Sequence, residues 1–260
     1  MELTEKNYFL LKEQKLTRAK IAEKFQMPEW KLKKQIAKNG WGKPNPRILN
    51  PTAFSEKTEA SLYWAGFIAA DGCITKETET LKICLHYDDT GHLEKFKNFV
   101  GSEHAISSNI DKYYRSEIGF KNKKITDDLK SYFNITPRKS LTYQMPSLEK
   151  DQVRHFLRGY FDGDGCICES FSNKASKTAT LYTTVTGSNE FIKRLSALLL
   201  DLLDIEGSVQ LKDKVSVIKY NTKKSIVLLD FLYQDSSVYL DRKYALYYNI
   251  VVKKLRKMKV

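Results

Sequence analysis

At 260 residues the chain holds one large domain or two modest ones, and an apolar fraction of 42% is enough for packed cores. No apolar run approaches about 18 residues, which excludes a membrane-spanning helix, and the stretch MELTEKNYFLLKEQK lacks both a signal core and an Arg-rich presequence, so an intracellular protein is expected. The net charge of +13 suits a polyanion, and 12 Lys and Arg against 5 Asp and Glu put +7 of it in the first 50 residues.

Residues 1–42 read as three short helices. Thr4 caps the first, which carries Tyr8, Leu10 and Leu11; Thr17 caps the second, with Ile21, Ala22 and Phe25 on one face. After a turn at Gln26-Met27, Pro28 suits the first position of a third helix, where its missing N–H costs nothing. That helix turns Leu32 and Ile36 inward, leaves Lys31, Lys34, Gln35 and Lys38 outward, and ends at Gly40. Two short helices across a tight turn, the second one basic, are expected to form a helix-turn-helix-like DNA-binding domain. Residues 43–54 hold three of the six prolines and are expected to be an extended linker, in which Lys43 and Arg47 track a phosphate backbone.

From residue 55 one plan occurs twice, over 55–145 and 146–260. In the first half Ser55 or Thr58 caps a helix to about Ala70. A hairpin over 73–79 and 80–88 follows, with Leu81, Ile83 and Leu85 on one face and Lys82, Cys84 and His86 on the other. Then come a helix with Leu93, Phe96 and Val100, strands over 104–110 and 112–120, and a helix over 122–133. In the second half Ser147 caps a helix from Leu148 to Gly163. Strands follow at about 166–171 and 179–187, where Leu181, Thr183 and Val185 alternate with Tyr182, Thr184 and Thr186. A helix with Phe191, Leu195, Leu198 and Leu202, strands over 207–213 and 215–221, a helix over 222–233 and a basic C-terminal helix complete it. The fold class is α+β: two pseudo-symmetric αββαββα halves with antiparallel sheets, plus a small all-α N-terminal domain. Each sheet would keep one polar face open, as antiparallel sheets commonly do. The four cysteines, Cys73, Cys84, Cys166 and Cys168, include no CxxC and are expected to be reduced thiols.

Both halves open on the same nonapeptide pattern. Residues 64–72 are WAGFIAADG and residues 157–165 are LRGYFDGDG, each followed by Cys-Ile, and the copies lie 93 residues apart. Gly66 and Ala70, like Gly159 and Gly163, stack on one helix face at i, i+4. Glycines in a helix interior cost about 1 kcal/mol each relative to Ala, and close approach of two helix backbones compensates. Packing through that face brings Asp71 and Asp164 together. Paired carboxylates repel, and a divalent cation relieves them; hard oxygen ligands suit Mg²⁺, which takes further ligands from phosphate.

The two motifs resemble the paired signatures of a single-chain LAGLIDADG homing endonuclease, over about residues 55–258. The resemblance implies a monomer whose two sheets form a DNA-binding saddle, and cleavage of double-stranded DNA at a long asymmetric target with Mg²⁺, or Mn²⁺ in its place. It assigns Asp71 and Asp164 as metal ligands, joined by the carbonyls of Ala70 and Gly163. The sixth motif position is often Asp; Asp162 keeps it and Ala69 does not. The segments TPRKS and YLDRKY are similar to family segments and offer Lys139 and Lys243 as residues that activate water or stabilise charge at the phosphate. His86 and Thr186 are expected to border the site. The major groove would be read by Lys82, Cys84 and His86 in one half and by the matching Tyr182, Thr184 and Thr186 in the other, with Arg115 and Lys219 on later strands. A DNA-binding regulator without catalysis and an RNA intron maturase are alternatives on the same scaffold. The start at Met1 and the lack of flanking splicing segments speak against an intein origin.

Overall fold

The computed structural model describes residues 3–14, 16–39, 41, 49–171 and 179–255. The chain divides into two units, Met1–Ile48 and Leu49–Val260. Among the described residues no helix is long and apolar enough to cross a membrane.

The described residues of the N-terminal unit form three helices. In α1 (Glu5–Glu13) and α2 (Arg18–Lys24) the hydroxyls of Thr4 and Thr17 accept from the N–H groups of Asn7 and Lys20, so both expected caps form. The third helix, α3, spans Glu29–Lys38. Tyr8, Leu11, Ile21, Ala22, Phe25, Leu32 and Ile36 pack into a core of their own. Lys31, Lys34 and Lys38 are exposed on α3, while Gln35 is half-buried and its amide oxygen lies inside without a partner. Gln35 is thus not an outward residue: it sits one position before Ile36 and is partly drawn in beside it. Lys43 and Arg47 lie outside the described residues.

Of the expected linker over 43–54, the described residues 49–54 are packed into the larger unit. Phe54 is fully buried and meets the rings of Phe99 and Phe133 at 5.3 and 6.4 Å, and the Asn50 N–H donates to the Val100 carbonyl at 2.8 Å. A large apolar ring outweighs the neighbouring prolines here, and residues from Leu49 onward belong to the larger unit.

In that unit the first half runs α4 (Glu59–Asp71), β1 (Gly72–Ile74), β2 (Thr80–His86), α5 (Thr90–Phe99), β3 (Ser107–Asn109), β4 (Arg115–Lys121) and α6 (Lys123–Phe133). The second runs α7 (Lys150–Asp164), β5 (Gly165–Phe171), β6 (Ala179–Ser188), α8 (Asn189–Leu203), β7 (Ser208–Gln210), β8 (Val215–Asn221) and α9 (Thr222–Tyr233). Then come α10 (Asp241–Tyr247) and a π-helical segment, Tyr248–Leu255. Both sheets are antiparallel, ordered β1-β2-β4-β3 and β5-β6-β8-β7. Thr58 caps α4 through the Ser61 N–H, but α7 starts at a Glu149–Gln152 capping box and not at Ser147.

The period-2 pattern sets the faces of the sheets. Leu81, Ile83, Leu85, Ile118 and Phe120 point into the core, as do Leu181, Val185, Ile218 and Tyr220. The outer helices cover that side with Leu93, Phe96, Leu129, Phe191, Leu195 and Leu228. Lys82, Cys84, His86 and Arg115 stay exposed on the opposite face, and Tyr182, Thr184, Thr186 and Lys219 are half-buried on theirs. The core runs unbroken through both halves, across α4 and α7.

Candidate active site and nucleic-acid face

The site begins with four small residues. A Cβ on Gly66 would lie 2.0 Å from the Phe156 carbonyl oxygen, and one on Gly159 would lie 1.8 Å from that of Tyr63. Shifting Tyr63 and Gly66 by the 93-residue repeat gives Phe156 and Gly159, so the contact is its own mate about a pseudo-twofold axis. A Cβ on Gly163 would meet the Ala70 Cβ at 2.3 Å and the Asp71 Cγ at 3.4 Å. Helices α4 and α7 therefore lie backbone to backbone, and both end at an aspartate on the same side. The bends Gly72 and Gly165 are equally tight, since a Cβ there would strike Ile68 and Phe161 at 2.7 and 2.4 Å.

The two carboxylates feel each other. Burial, then the charge of Asp71, raises Asp164 to about 6, against the pull of Lys139 and Lys243. Burial also raises Asp71, opposed by Lys243, Lys139 and Arg242. The lysines are 4% and 3% exposed. Lys139 Nζ donates to the Gly72 carbonyl at 2.8 Å; Lys243 Nζ donates to the matching Gly165 carbonyl at 2.6 Å. Lys243 also reaches the carbonyls of Phe161, Asp162 and Gly163, at 2.6, 2.8 and 3.4 Å. An ammonium has three protons, so Lys243 is saturated by backbone, while Lys139 keeps donors in reserve. Burial lowers both pKa values, that of Lys243 to about 8.

Asp162 has a structural job. It is fully buried and accepts from the hydroxyls of Tyr63 and Tyr233 at 2.7 and 2.5 Å, and from the Leu240 N–H at 2.7 Å. It ties the central helices to the segment carrying Lys243. Ala69, at the matching position, makes no such tie.

A divalent cation suits this donor set only in part. Two partly desolvated carboxylates, of which Asp164 is raised further by the charge of Asp71, favour a positive charge between them, with the Ala70 and Gly163 carbonyls one residue before. Among the described residues no group of three or more His, Cys, Asp or Glu side chains gathers to hold an ion. The remaining ligands would have to be oxygens from outside the chain, water and phosphate, which is how Mg²⁺ is usually bound.

On the open sheet faces one sequence correspondence shifts by two residues. Gly72 pairs with Ile83 and Gly165 with Val185, so Lys82 matches Thr184 and Cys84 matches Thr186. His86 matches Ser188, the buried cap of α8, and not Thr186. Strand β6 runs through Ser188, past the 187 at which its pattern seemed to stop. His86 lies 4.9 Å from the Tyr114 ring, and its Nδ1 is 3.4 Å from Asp88. Lys219 Nζ sits 4.0 Å over the Tyr182 ring, and Arg115 stands 4.7 Å from Tyr113. Cys73 and Cys166, which the sequence suggested only as reduced thiols, follow the two Asp-Gly pairs on the open faces, and the exposed turn residues Tyr113 and Tyr114 had no sequence signal. The sequence reading omitted Arg242, although the Arg-Lys dipeptide repeats in TPRKS and YLDRKY.

Comparison with known proteins agrees with the fold. A family described as "LAGLIDADG-like domain" matches residues 151–216. A probable translation initiation factor IF-2 of Methanocaldococcus jannaschii is 30% identical over 166 residues; the match covers 61% of this chain and 13% of that protein's length. Among solved structures, the LAGLIDADG meganuclease I-AabMI bound to uncleaved DNA superposes with a TM-score of 0.53 and 15% identity, over 76% of this chain and 91% of that one. The homing endonuclease I-LtrWI bound to target DNA gives 0.53 and 13%, over 76% and 92%. I-SmaMI bound to its uncleaved DNA target in the presence of calcium ions gives 0.53 and 14%, over 75% and 92%.

Proposed function

From the premise that this chain has the LAGLIDADG homing-endonuclease fold, we propose that it is a site-specific endonuclease that hydrolyses both strands of a DNA duplex. The observation that carries the reading is the contact of Gly163 with Ala70 and Asp71, which sets the two motif carboxylates side by side at the ends of paired helices. Asp71 and Asp164 would hold Mg²⁺ or Mn²⁺, assisted by the Ala70 and Gly163 carbonyls. Such an ion, when bound, acidifies water and stabilises the leaving oxygen of a phosphodiester.

The chain's own residues do the rest. The two lysines, buried beside the carboxylates, place positive charge where phosphate negative charge must be accommodated. Lys139 has protons free to donate there. Lys243 acts through its field and by holding the carbonyls around Asp164. Lys82, Cys84, His86 and Arg115 from one sheet, and Tyr182, Thr184, Thr186 and Lys219 from the other, offer donors, acceptors and charge to the major groove. The N-terminal unit adds Lys31, Lys34 and Lys38, whose exposed charges suit phosphates, and extends the target.

The test is cleavage of a duplex recovered from a randomised library by binding to the protein. The wild-type chain is expected to cut it in Mg²⁺, and Asp71→Asn and Asp164→Asn to bind it without cutting. Cleavage that survives both substitutions would refute the assignment.

A further inference from the structure

The Arg-Lys dipeptide stands in both halves, as Arg138-Lys139 and Arg242-Lys243. The lysines are buried against the carbonyls that follow the paired aspartates, while both arginines in front of them are exposed. The two arginines are held differently. Arg242 is the second residue of α10, and its Nε donates to both carboxylate oxygens of Asp89, at 3.0 and 3.2 Å. Asp89 belongs to the other half, at the end of the short 3-10 turn after β2. Its side chain is 12% exposed and that of Arg242 is 56% exposed, so the carboxylate is seated and the guanidinium is presented.

That arrangement leaves a specific set of donors. A guanidinium carries five N–H groups in a planar fork, and Asp89 takes only the Nε edge. Among the described residues, nothing accepts from Nη1 or Nη2 of Arg242. The nearby Asp241 is already engaged by Lys95 at 2.6 Å. The position is central. Arg242 directly precedes Lys243, whose Nζ donates to the carbonyls of Gly163 and Gly165 on either side of Asp164. Arg242 therefore stands beside the C-terminal end of α7, exposed and clamped to the first half through Asp89. Arg138 has no such support: its backbone is left-handed, at φ 61°, and among the described residues no carboxylate pairs with it.

We propose that Arg242 is a backbone-phosphate ligand, gripping a DNA phosphate beside the paired motif aspartates through Nη1 and Nη2 while Asp89 fixes the plane of the guanidinium. Arg138, unbraced, does this less well for the opposite strand. The inference rests on the nuclease reading and adds to it that the two strands are not handled alike.

The experiment compares wild type with Arg242→Ala, Arg242→Lys and Asp89→Asn on a duplex recovered by binding selection, with each strand labelled separately, in Mg²⁺ under single-turnover conditions. Arg242→Ala is expected to slow one strand about 10- to 100-fold more than the other and to accumulate nicked duplex. Arg242→Lys keeps the charge without the fork and restores affinity but not strand balance. Asp89→Asn slows the same strand more mildly. Should the alanine variant fail to fold, Arg242→Lys carries the strand readout. Unchanged rates, or equal slowing of both strands, overturn the proposal.

If wild type binds but cuts neither strand, the nuclease reading falls and Arg242 is judged on binding alone. A fall of about 1 in the slope of log affinity against log salt for Arg242→Ala supports the phosphate contact, and an unchanged slope overturns it.

Discussion

The Asp164 carboxyl is the clearest case of a single group set against its surroundings. Its pKa in the folded chain is raised to about 6 from an ordinary 3.8. A carboxyl so raised binds its proton more tightly when folded than when unfolded. The folded state is therefore favoured at low pH, and that advantage is lost as pH climbs through about 6. Asp164→Asn is expected to be more stable than wild type at pH 8, by about 1–2 kcal/mol after allowing for partial solvent access, with the gap closing toward pH 4; urea unfolding at the two pH values measures it. The same competition predicts that Mg²⁺ affinity, followed by calorimetry, rises over the same pH interval, since cation and proton seek one site. The two aspartates were legible in the sequence because the motif repeats. Saturation of Lys243 by backbone carbonyls was not, because it depends on where a distant helix returns.

At the scale of elements, the α4–α7 contact is the most exacting. Gly159→Ala gains about 1 kcal/mol of helix propensity, yet its Cβ would lie 1.8 Å from the Tyr63 carbonyl oxygen. Backbone cannot step aside as a side chain can, so a net loss of about 3 kcal/mol or more is expected, read as a lower urea midpoint. The same helices are tied by Arg158, which is fully buried, donates to Glu59 at 2.7 Å and to the Val238 and Leu232 carbonyls at 2.8 and 3.2 Å. Arg158→Ala leaves Glu59 and both carbonyls without that partner and is expected to cost about 3–5 kcal/mol in the same assay. Element order and type followed from periodicity and caps, because alternation in β2 and β6 and four-residue spacing in α6 are local signals. The strand correspondence failed by two residues because cross-strand pairing is a non-local fact: the pairing of Gly72 with Ile83 and of Gly165 with Val185 decides which side chains match across the pseudo-twofold.

For the whole molecule, the two units make separable contributions. Each has its own apolar core, so residues 49–260 are expected to fold without the first 48. Removing the N-terminal unit, and with it the exposed Lys31, Lys34 and Lys38, is expected to lower the salt slope of duplex binding by about 2–3 if those lysines meet phosphates; an unchanged slope in a fluorescence titration would detach that unit from DNA. The basic composition pointed to a polyanion and the doubled motif to a fold, whereas the start of the larger unit at Leu49 depended on where Phe54 is buried. The glycine contact between the halves has a further corollary. Main chain meets main chain there, so the joint is demanding about bulk at the small residues, while the Arg158–Glu59 and Tyr63–Asp162 pairs add side-chain requirements beside it. A half from another sequence that keeps the small residues in phase and supplies those two pairs should dock onto the matching half of this protein, which makes the molecule a natural recipient for hybrid recombinants.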